Sequence, residues 1–305
     1  MSLRHSGGAA TRRSRPALAL TILVGPFAVL FIAVYLVPLG YSVVRSLFKK
    51  QSSGLGIGPS RDVFVGLENY ADVVTSSTFW TGIARVFAYG LIQIPVMLVL
   101  AMGIALLIDS EASRARGFHR LATFLPYAIP GIVASLLWAY LYVPQLSPVV
   151  QLLRSWDVTI DLLGSPVVLV SIANIAIWSW AGYNMIIYSA SLQSIPREII
   201  EAARVDGASE WTLAMRIKAP LIKGPIALTA LLSTIGSIQL FSEPVVLRTV
   251  TTAIGAEWTP MMLAYNATFA ANNFELGSAV SVVIALIAGV LAVIYRKLST
   301  RGSES

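Results

Sequence analysis

The segment from Ser191 to Pro220, SLQSIPREIIEAARVDGASEWTLAMRIKAP, is a polar stretch between two strongly apolar ones. Pro196 suits the first turn of a helix, because its missing N–H would have no partner there. Gly207 suits the left-handed residue that ends such a helix. Ser209 is a cap residue for a second short helix. The pattern predicts a hairpin of two short helices, each with a defined start and end.

The first predicted helix has two chemically different faces. Arg197, Glu201 and Arg204 recur at i, i+4 and i+7, which places them on one polar face. Ile199 and Ala202 fall on another face. One face can therefore pack against the protein while the other pairs with a partner. An amphipathic loop lying on a bilayer surface has the same charge pattern and is the structural alternative.

Composition places the chain among polytopic membrane proteins. Of its 305 residues, 56% are hydrophobic and 12% are charged, and the mean hydropathy is +0.74. A soluble core could not absorb that much apolar surface. The absence of cysteine excludes disulfides, thiol catalysis and cysteine metal sites. The net charge of +7 does not indicate nucleic-acid binding, because the basic residues flank apolar segments rather than forming an aromatic-rich patch.

Six apolar segments are near or above the ~20 residues that a helix needs to cross a bilayer. The predicted fold class is therefore all-α, a polytopic membrane protein with six transmembrane helices. Residues 17–297 are predicted to form one membrane domain, with short tails at 1–16 and 298–305. The six predicted spans are residues 17–48, 80–108, 119–143, 166–190, 221–247 and 276–295.

The basic residues predict the orientation of these spans. Fifteen of the 22 lie in the tails, between the second and third spans, or in and just after the polar hairpin. By the positive-inside rule, both tails and the hairpin are predicted to be cytoplasmic. The fifteen are Arg4, Arg12, Arg13, Arg15, Arg114, Arg116, Arg120, Arg197, Arg204, Arg216, Lys218, Lys223, Arg296, Lys297 and Arg301.

Polar residues inside the apolar segments are informative, because burying them in lipid is unfavourable and favours positions facing a cavity or another helix. Two stripes, in the fourth and fifth spans, would each lie on one face of a continuous helix. These stripes predict the lining of a translocation cavity, and ordinary packing between helices is the alternative. The first stripe is Trp180, Tyr183 and Asn184, and the second is Gly236, Gln239 and Glu243, with Ser237 beside it.

Further candidates for the cavity are Gln93, Asn174 and Ser233. Separately, prolines interrupt segments that otherwise have helical character. A proline removes a backbone hydrogen bond and kinks a helix. Kinks are therefore predicted at Pro95 and at the Pro126 and Pro130 pair, either as hinges or as static bends, which membrane helices also tolerate.

The sequence carries few residues in patterns that indicate catalysis. The sequence has no GxxxxGK[ST] phosphate loop, which excludes ATP hydrolysis by that route. Its two histidines, His5 and His119, are far apart and belong to no HExxH motif, so no metal site is predicted. A polytopic membrane enzyme in which Glu201, Asp206 and Glu210 act as cytoplasmic acid–base groups is the alternative function. A structural hairpin explains these carboxylates with fewer assumptions.

The core of the hairpin, Glu201-Ala202-Ala203 followed by Gly207, Ile217 and Pro220, resembles the EAA loop of binding-protein-dependent ABC importer permeases. Three other stretches are similar to the sugar and glycerol-phosphate (maltose-type) branch of that family. They are Phe64–Tyr70 (FVGLENY) followed by Phe79-Trp80, Leu125-Pro126 through Trp138, and Asn273–Ser281 (NFELGSAVS).

The resemblance covers about residues 17–297 and has two departures. The family has a threonine and a glycine-rich turn with proline after the fifth helix, where this chain has RTVTTAIG at 248–255. This difference affects the outer gate and the choice of solute. The hairpin ends Lys218-Ala219-Pro220, where the family commonly has a hydrophobic residue before the proline.

The resemblance implies a type I ABC importer permease fold and a role as the permease subunit of an importer for a sugar, oligosaccharide or polyol. It implies a bacterial or archaeal cell membrane. Expected partners are a second permease subunit in a heterodimer, two ATPase subunits, an extracytoplasmic solute-binding protein and membrane lipids. No cofactor is expected on this chain, since ATP and Mg belong to the partner ATPase, and no nucleic acid is expected.

The resemblance also assigns roles to individual residues. It places a substrate-contacting aromatic at Tyr183, and Trp180, Asn184, Ser237, Gln239 and Glu243 complete the predicted substrate-binding set. Contact with the ATPase is assigned to the hairpin. The coupling residues are Glu201, Ala202, Ala203, Arg204, Asp206, Gly207 and Trp211.

Overall fold

A computed structural model describes residues 15–51, 61–110, 114–165 and 167–301, with side chains from residue 20 to residue 297. Within these ranges, four helical segments are long and apolar enough to cross a membrane. Two further helix pairs qualify together but are bent by 93° and 67°, which gives up to six spans. The predicted polytopic, all-α fold class is confirmed. Residues 1–14 and 302–305 of the predicted tails lie outside the described ranges.

The helices follow one another with short connections. Four of the connections between α-helices are themselves helical. Three are π-helical, at Ile32–Leu36, Leu213–Lys218 and Asn266–Ala270, and one is a 3-10 helix, at Leu125–Ala128. The α-helices are α1 Arg15–Phe31, α2 Val37–Arg45, α3 Glu68–Thr75, α4 Ser77–Asp109, α5 Arg116–Phe124, α6 Gly131–Tyr142, α7 Pro148–Arg154, α8 Val168–Gln193, α9 Arg197–Val205, α10 Glu210–Thr212, α11 Ala219–Leu221, α12 Lys223–Ile238, α13 Ser242–Leu247, α14 Pro260–Tyr265 and α15 Phe274–Arg301.

A short antiparallel β-hairpin follows the first span and adds to the helical fold. Strand β1, Phe48–Gln51, pairs with β2, Arg61–Phe64. The amide of Asn69 donates to the carbonyl oxygens of Ser46 and Phe48 at 2.8 and 2.7 Å, which fixes the hairpin on α3. Periodicity did not predict these strands, because the first apolar span and the polar segment after it gave no alternating pattern.

Salt bridges hold the same end of the bundle together. Lys49 donates to Asp72 at 2.7 Å and to Glu68 at 2.8 Å, and these hydrogen bonds raise the pKa of Lys49. At the end of α2, Arg45 donates to Asp62 of β2 at 2.5 Å and also to Glu275 of α15. The Arg45 contact lowers the pKa of the exposed Asp62 carboxyl. The β-hairpin is thus joined to α2, α3 and α15.

Breaks divide two of the predicted spans. Pro126 lies in the 3-10 turn and Pro130 is the N-cap of α6, so the third span bends there by 93°. This confirms the predicted interruption at both prolines. At Pro95 no break occurs, because α4 continues through that residue as one α-helix, and the predicted kink stays a prediction. The fifth predicted span is also divided, since α12 ends at Ile238 and α13 starts at Ser242.

Helix α8 lies at the centre of the bundle, packed against α4 and α12. Half of its span is buried within the chain, compared with 28% for α4 and for α15. A side chain at Gly182 would overlap the backbone of Thr123 and Phe124, so this glycine permits the end of α5 to approach α8 closely. The first span, Leu20–Arg45, is 0% buried within the chain. The core is therefore built by α4, α8, α12 and α15, while the first span contributes no buried residue to it and meets α15 through α2.

Candidate functional site

The hairpin at residues 191–220 forms as two short helices with a turn between them. Helix α9 begins after Pro196, which is its N-cap rather than part of its first turn, so the predicted start was one residue early. Gly207 has φ +81°, which confirms the left-handed residue expected after this helix. The Ser209 hydroxyl accepts from the Thr212 N–H at 3.2 Å, which confirms the predicted cap.

The second arm of the hairpin is not a regular α-helix. After the three residues of α10, the segment Leu213–Lys218 is π-helical and continues into α11. A π-helical turn inside a helix is uncommon and is frequent at functional sites. A bend of 67° then separates this arm from α12. The hairpin therefore leaves α8 at one end and enters α12 at the other.

The hairpin presents an apolar tip among polar residues. Val205 is 87% exposed and Trp211 is 73% exposed, on either side of Gly207. Large apolar side chains exposed together indicate a contact with another protein or with a membrane. Sequence analysis assigned Trp211 to coupling but missed Val205, because an isolated apolar residue next to a turn carries no periodic signal.

The predicted coupling residues all lie on this hairpin, with different exposures. Glu201, Ala202, Asp206 and Gly207 are exposed, while Ala203 and Arg204 are half-buried. Arg204 donates to Glu210 at 2.9 Å across the turn. This pair, which sequence analysis missed, joins the two arms, although exposure limits its contribution to about 0–1 kcal/mol. Contact of these residues with an ATPase stays a prediction.

A cavity of about 530 Å³ lies between α4, α8 and α12. All six residues of the predicted substrate-binding set line it. Helix α8 supplies three of them and α12 supplies one, and the other two lie at the break after α12 and at the start of α13. The six are Trp180, Tyr183, Asn184, Ser237, Gln239 and Glu243.

The fifth-span residues reach this cavity by a different route from the predicted one. Gly236 lies in α12, Gln239 follows the end of that helix, and Glu243 lies in the first turn of α13. The prediction that they share one face of a continuous helix is wrong. The helix is interrupted over residues 239–241, and all three residues nevertheless line the same cavity.

Three aromatic rings form one wall of the cavity. Tyr127 stacks on Tyr183 with ring centroids 4.7 Å apart and an interplanar angle of 25°. Its ring also meets Trp180 edge-on at 5.1 Å, and Trp180 meets Tyr183 at 5.8 Å. Tyr127 was missed by sequence analysis because it lies in the broken third span. Its position directly after Pro126, inside an interrupted apolar segment, was the available signal.

The polar groups of the cavity wall differ in their exposure and in the hydrogen bonds that they make within the chain. Asn184 is buried and donates to the Trp180 carbonyl oxygen at 2.9 Å. Ser237 is buried and its hydroxyl lies 3.2 Å from the Gln93 carbonyl oxygen. These contacts agree with the packing alternative for both residues. Gln239 is exposed and Glu243 is half-buried in the cavity, so they are better placed to meet a solute.

The additional candidates divide in the same way. Gln93 and Ser233 line the cavity together with Tyr89, which sequence analysis did not single out. Asn174 is not among the lining residues. It donates to the Tyr142 hydroxyl at 2.8 Å, and that hydroxyl donates to the Ser171 carbonyl oxygen at 2.9 Å. Asn174 therefore belongs to the packing between α6 and α8.

Comparison with known proteins gives consistent matches over most of the chain. Residues 162–301 match the family model described as "Binding-protein-dependent transport system inner membrane component". A probable ABC transporter permease protein of Pyrococcus horikoshii is 31% identical over 92% of this chain and 97% of its own length. The trehalose transport system permease protein of Mycobacterium tuberculosis is 30% identical over 91% of this chain and 87% of its own length.

The fold also has a close structural counterpart. A chain of a bacterial ABC transporter involved in the import of the acidic polysaccharide alginate superimposes with a TM-score of 0.77. The match covers 94% of this chain and 96% of that chain at 20% sequence identity. At this identity the similarity establishes the fold.

Proposed function

This chain belongs to the binding-protein-dependent transport system inner membrane components, and from that membership we propose that it is the permease subunit of an ABC importer. The observation that carries the proposal is the joining of two features in one bundle. A cavity with polar and aromatic walls lies between α4, α8 and α12, and the exposed hairpin directly continues two of these helices. Displacement of the hairpin would therefore move the walls of the cavity.

The proposed solute is a sugar, oligosaccharide or polyol. Relatives include a trehalose permease, which supports this class. The cavity walls support it independently, because aromatic faces at Tyr127, Trp180 and Tyr183 can cover the C–H surface of a sugar ring. Gln239 and Glu243 can bind its hydroxyl groups. Arrangement of a few polar groups within a largely apolar pocket is typical of small-molecule sites.

A second permease subunit is the first proposed partner. The span Leu20–Arg45 is 0% buried within this chain, although its mean hydropathy of 2.6 equals that of α4. An apolar span that the chain itself leaves uncovered supports a neighbouring subunit that packs against it, with lipid as the alternative covering. The proposed assembly is a heterodimer of two such subunits.

Two ATPase subunits are the next proposed partners. This chain has no phosphate-binding loop, so ATP and Mg would be bound by the ATPase. The exposed tip at Val205 and Trp211, together with Glu201, is the surface that would enter it. This assigns energy conversion to the partner and leaves the permease without catalytic chemistry of its own.

An extracytoplasmic solute-binding protein would deliver solute at the opposite end of the bundle, where the β-hairpin and the Arg45 salt bridges lie. In this arrangement both termini and the 191–220 hairpin are cytoplasmic, as the distribution of basic residues predicts. Closure of the ATPase pair would then convert the cavity between outward and inward access. A reporter fused after Lys297 should be cytoplasmic.

The alternative of a membrane enzyme receives no support from the hairpin geometry. Glu201 and Asp206 are exposed, and the Glu210 carboxylate is paired with Arg204 at 2.9 Å. Acid–base catalysis needs a carboxylate in a cleft within reach of a bound substrate. These three carboxylates instead lie along the surface of a short hairpin.

Reconstitution tests the proposed function directly. The chain would be placed in proteoliposomes with the proposed second permease, ATPase and binding protein, and uptake of labelled disaccharides measured with and without ATP. Uptake that depends on both ATP and the binding protein is expected. A purified chain that chemically converts a substrate without any ATPase, or assembled vesicles with no ATP-dependent uptake of any sugar or polyol, would contradict the proposal.

A further inference from the structure

A buried ion pair joins the hairpin to a helix that is distant in sequence. The Lys218 ammonium donates to an oxygen of the Asp109 carboxylate at 2.6 Å. The side chains are 9% and 19% exposed, so the contact is largely removed from solvent. Asp109 is the last residue of α4, and Lys218 is the last residue of the π-helical turn of the hairpin.

Neither charge is explained by its local surroundings. A carboxylate at the C-terminus of a helix is disfavoured by the negative end of the helix macrodipole, and Asp109 occupies that position. Lys218 lies in the wall of a groove of about 650 Å³ whose other residues, such as Leu106 and Met215, are mostly apolar. An ammonium there is unfavourable unless it is paired. Each residue therefore needs the other.

Such a pair is better suited to fixing register than to adding stability. Desolvation of two charges offsets much of their attraction, so a buried ion pair is weak evidence for a stabilising role. Its geometric requirement is strict, because separation of the partners leaves two uncompensated charges in an apolar groove. The pair therefore holds the end of α4 at one position relative to the hairpin.

This attachment completes the connections between the hairpin and the cavity. The backbone already links the hairpin to α8 at Gln193 and to α12 at Lys223. Helix α4 has no such continuity with the hairpin, yet it lines the cavity with Tyr89, Gln93 and Met97. From Met97 to Asp109 the helix runs about 18 Å at 1.5 Å per residue. A continuous helix of this length transmits displacement of its end to the cavity wall.

We propose that the Asp109–Lys218 ion pair makes α4 follow the hairpin during transport, so that all three cavity walls move together. Both residues are positioning residues, since neither lines the cavity. This inference rests on the proposed permease function. It adds a specific element to it: a side-chain contact that ties α4, which lacks backbone continuity with the hairpin, directly to the hairpin.

Paired substitutions separate this role from a purely structural one. Asp109→Asn combined with Lys218→Met removes both charges and leaves neither uncompensated, whereas each single change leaves one buried charge. The double exchange Asp109→Lys with Lys218→Asp keeps an ion pair but swaps the positions of the two charges. Arg216→Met is the matched control, because Arg216 is an exposed cation in the same helical turn. All variants would be assembled with the complete importer.

The neutral double variant should retain the ATPase subunit and hydrolyse ATP, while solute uptake per ATP falls about tenfold, within the usual range of coupling between sites. The exchanged pair should recover most of this loss, and Arg216→Met should behave as the unmodified chain. Equal loss of ATPase activity and uptake in the double variant, together with a lower melting temperature, would overturn the inference in favour of a structural role. Unchanged uptake per ATP would also overturn it.

A distance measurement tests the proposed role separately from stability, because a purely structural role would not make the distance depend on ATP. Because the chain has no cysteine, spin labels can be attached to single cysteines introduced at the exposed Leu107 and Met215. Their separation should be the same with and without ATP in the otherwise unmodified chain, and should change with ATP in the neutral double variant. Equal behaviour of the two proteins would overturn the inference. If the unmodified complex shows no ATP-dependent uptake, the proposed function itself fails.

Discussion

The hairpin and the cavity are the two functional regions of this chain, and they are built in different ways. The hairpin is one continuous segment, 191–220, whose turn, cap and helix ends follow from Gly207, Ser209 and Pro196. The cavity collects residues from α4, the 3-10 turn, α8 and the break after α12. A local region can be recognised from its own residues, whereas a dispersed one depends on how distant helices pack.

The difference extends to what a substitution should do. Glu201 and Trp211 of the hairpin are exposed, so changes at these predicted coupling residues should affect assembly with a partner. Cavity residues are divided between satisfied packing groups, such as Asn184, and accessible ones, such as Tyr183. Their changes should affect solute handling or stability.

The largest effect is expected for Glu201→Lys. The carboxylate is exposed on α9, where it can meet a basic residue of the ATPase, and reversal replaces attraction by repulsion. If this pair is desolvated in the complex, the loss of binding free energy is about 2–5 kcal/mol. Retention of the ATPase subunit during purification, and its dissociation constant, would measure this. Glu198→Lys is the matched control, as an equally exposed carboxylate on the same helix. Full ATPase retention and uptake in Glu201→Lys would show that the hairpin is not the coupling element.

The next effect concerns the geometry of the turn. At φ +81°, Gly207→Val forces a branched side chain into a left-handed conformation, with a strain of about 1–3 kcal/mol. The strain is expected to misalign the two arms and reduce both stimulated ATP hydrolysis and uptake, while membrane insertion stays normal. Gly224→Val is the control, because Gly224 has no positive φ and open space where a side chain would lie. Equal activity of the two variants would show that the turn does not orient the hairpin.

A smaller and more selective effect is expected in the cavity. Tyr183→Ala removes a ring that stacks on Tyr127, and about 1–1.5 kcal/mol of solute contact, or roughly tenfold in transport efficiency, should be lost. ATPase retention and basal hydrolysis should remain. Tyr183→Phe keeps the ring and should retain most uptake. If Tyr183→Ala transports normally, the ring belongs to packing and the cavity wall has been assigned the wrong role.

The smallest effect on solute handling is expected for Asn184→Ala. Its amide is buried and bonded to the Trp180 carbonyl oxygen, so the change should lower stability by about 1 kcal/mol with a minor change in uptake. Thermal unfolding of the purified complex and initial uptake rates would measure both. An uptake loss as large as that of Tyr183→Ala, at unchanged stability, would place Asn184 among the solute contacts instead.

Particular residues show how far sequence alone could reach. Trp180 and Tyr183 were predicted to share a face because α8 is continuous, and they do line one cavity. Gln239 and Glu243 were assigned by assuming the same continuity in the fifth span, which the break after Ile238 removes. Tyr127 was missed because the bent third span gave no helical face on which to place it. Periodicity is informative only where the helix is unbroken.

By itself the sequence determined the polytopic helical class, the existence of the hairpin and the identity of its turn and cap. These features depend on local rules: the length of apolar segments, the missing N–H of proline, and the conformational freedom of glycine. Only the tertiary structure decided which side chains share the cavity, that Asp109 meets Lys218, and that the first span buries no residue within the chain. Those outcomes depend on the bend angles of broken helices and on the packing of residues far apart in sequence, such as Asp109 and Lys218, which are 109 positions apart, and no local pattern encodes them.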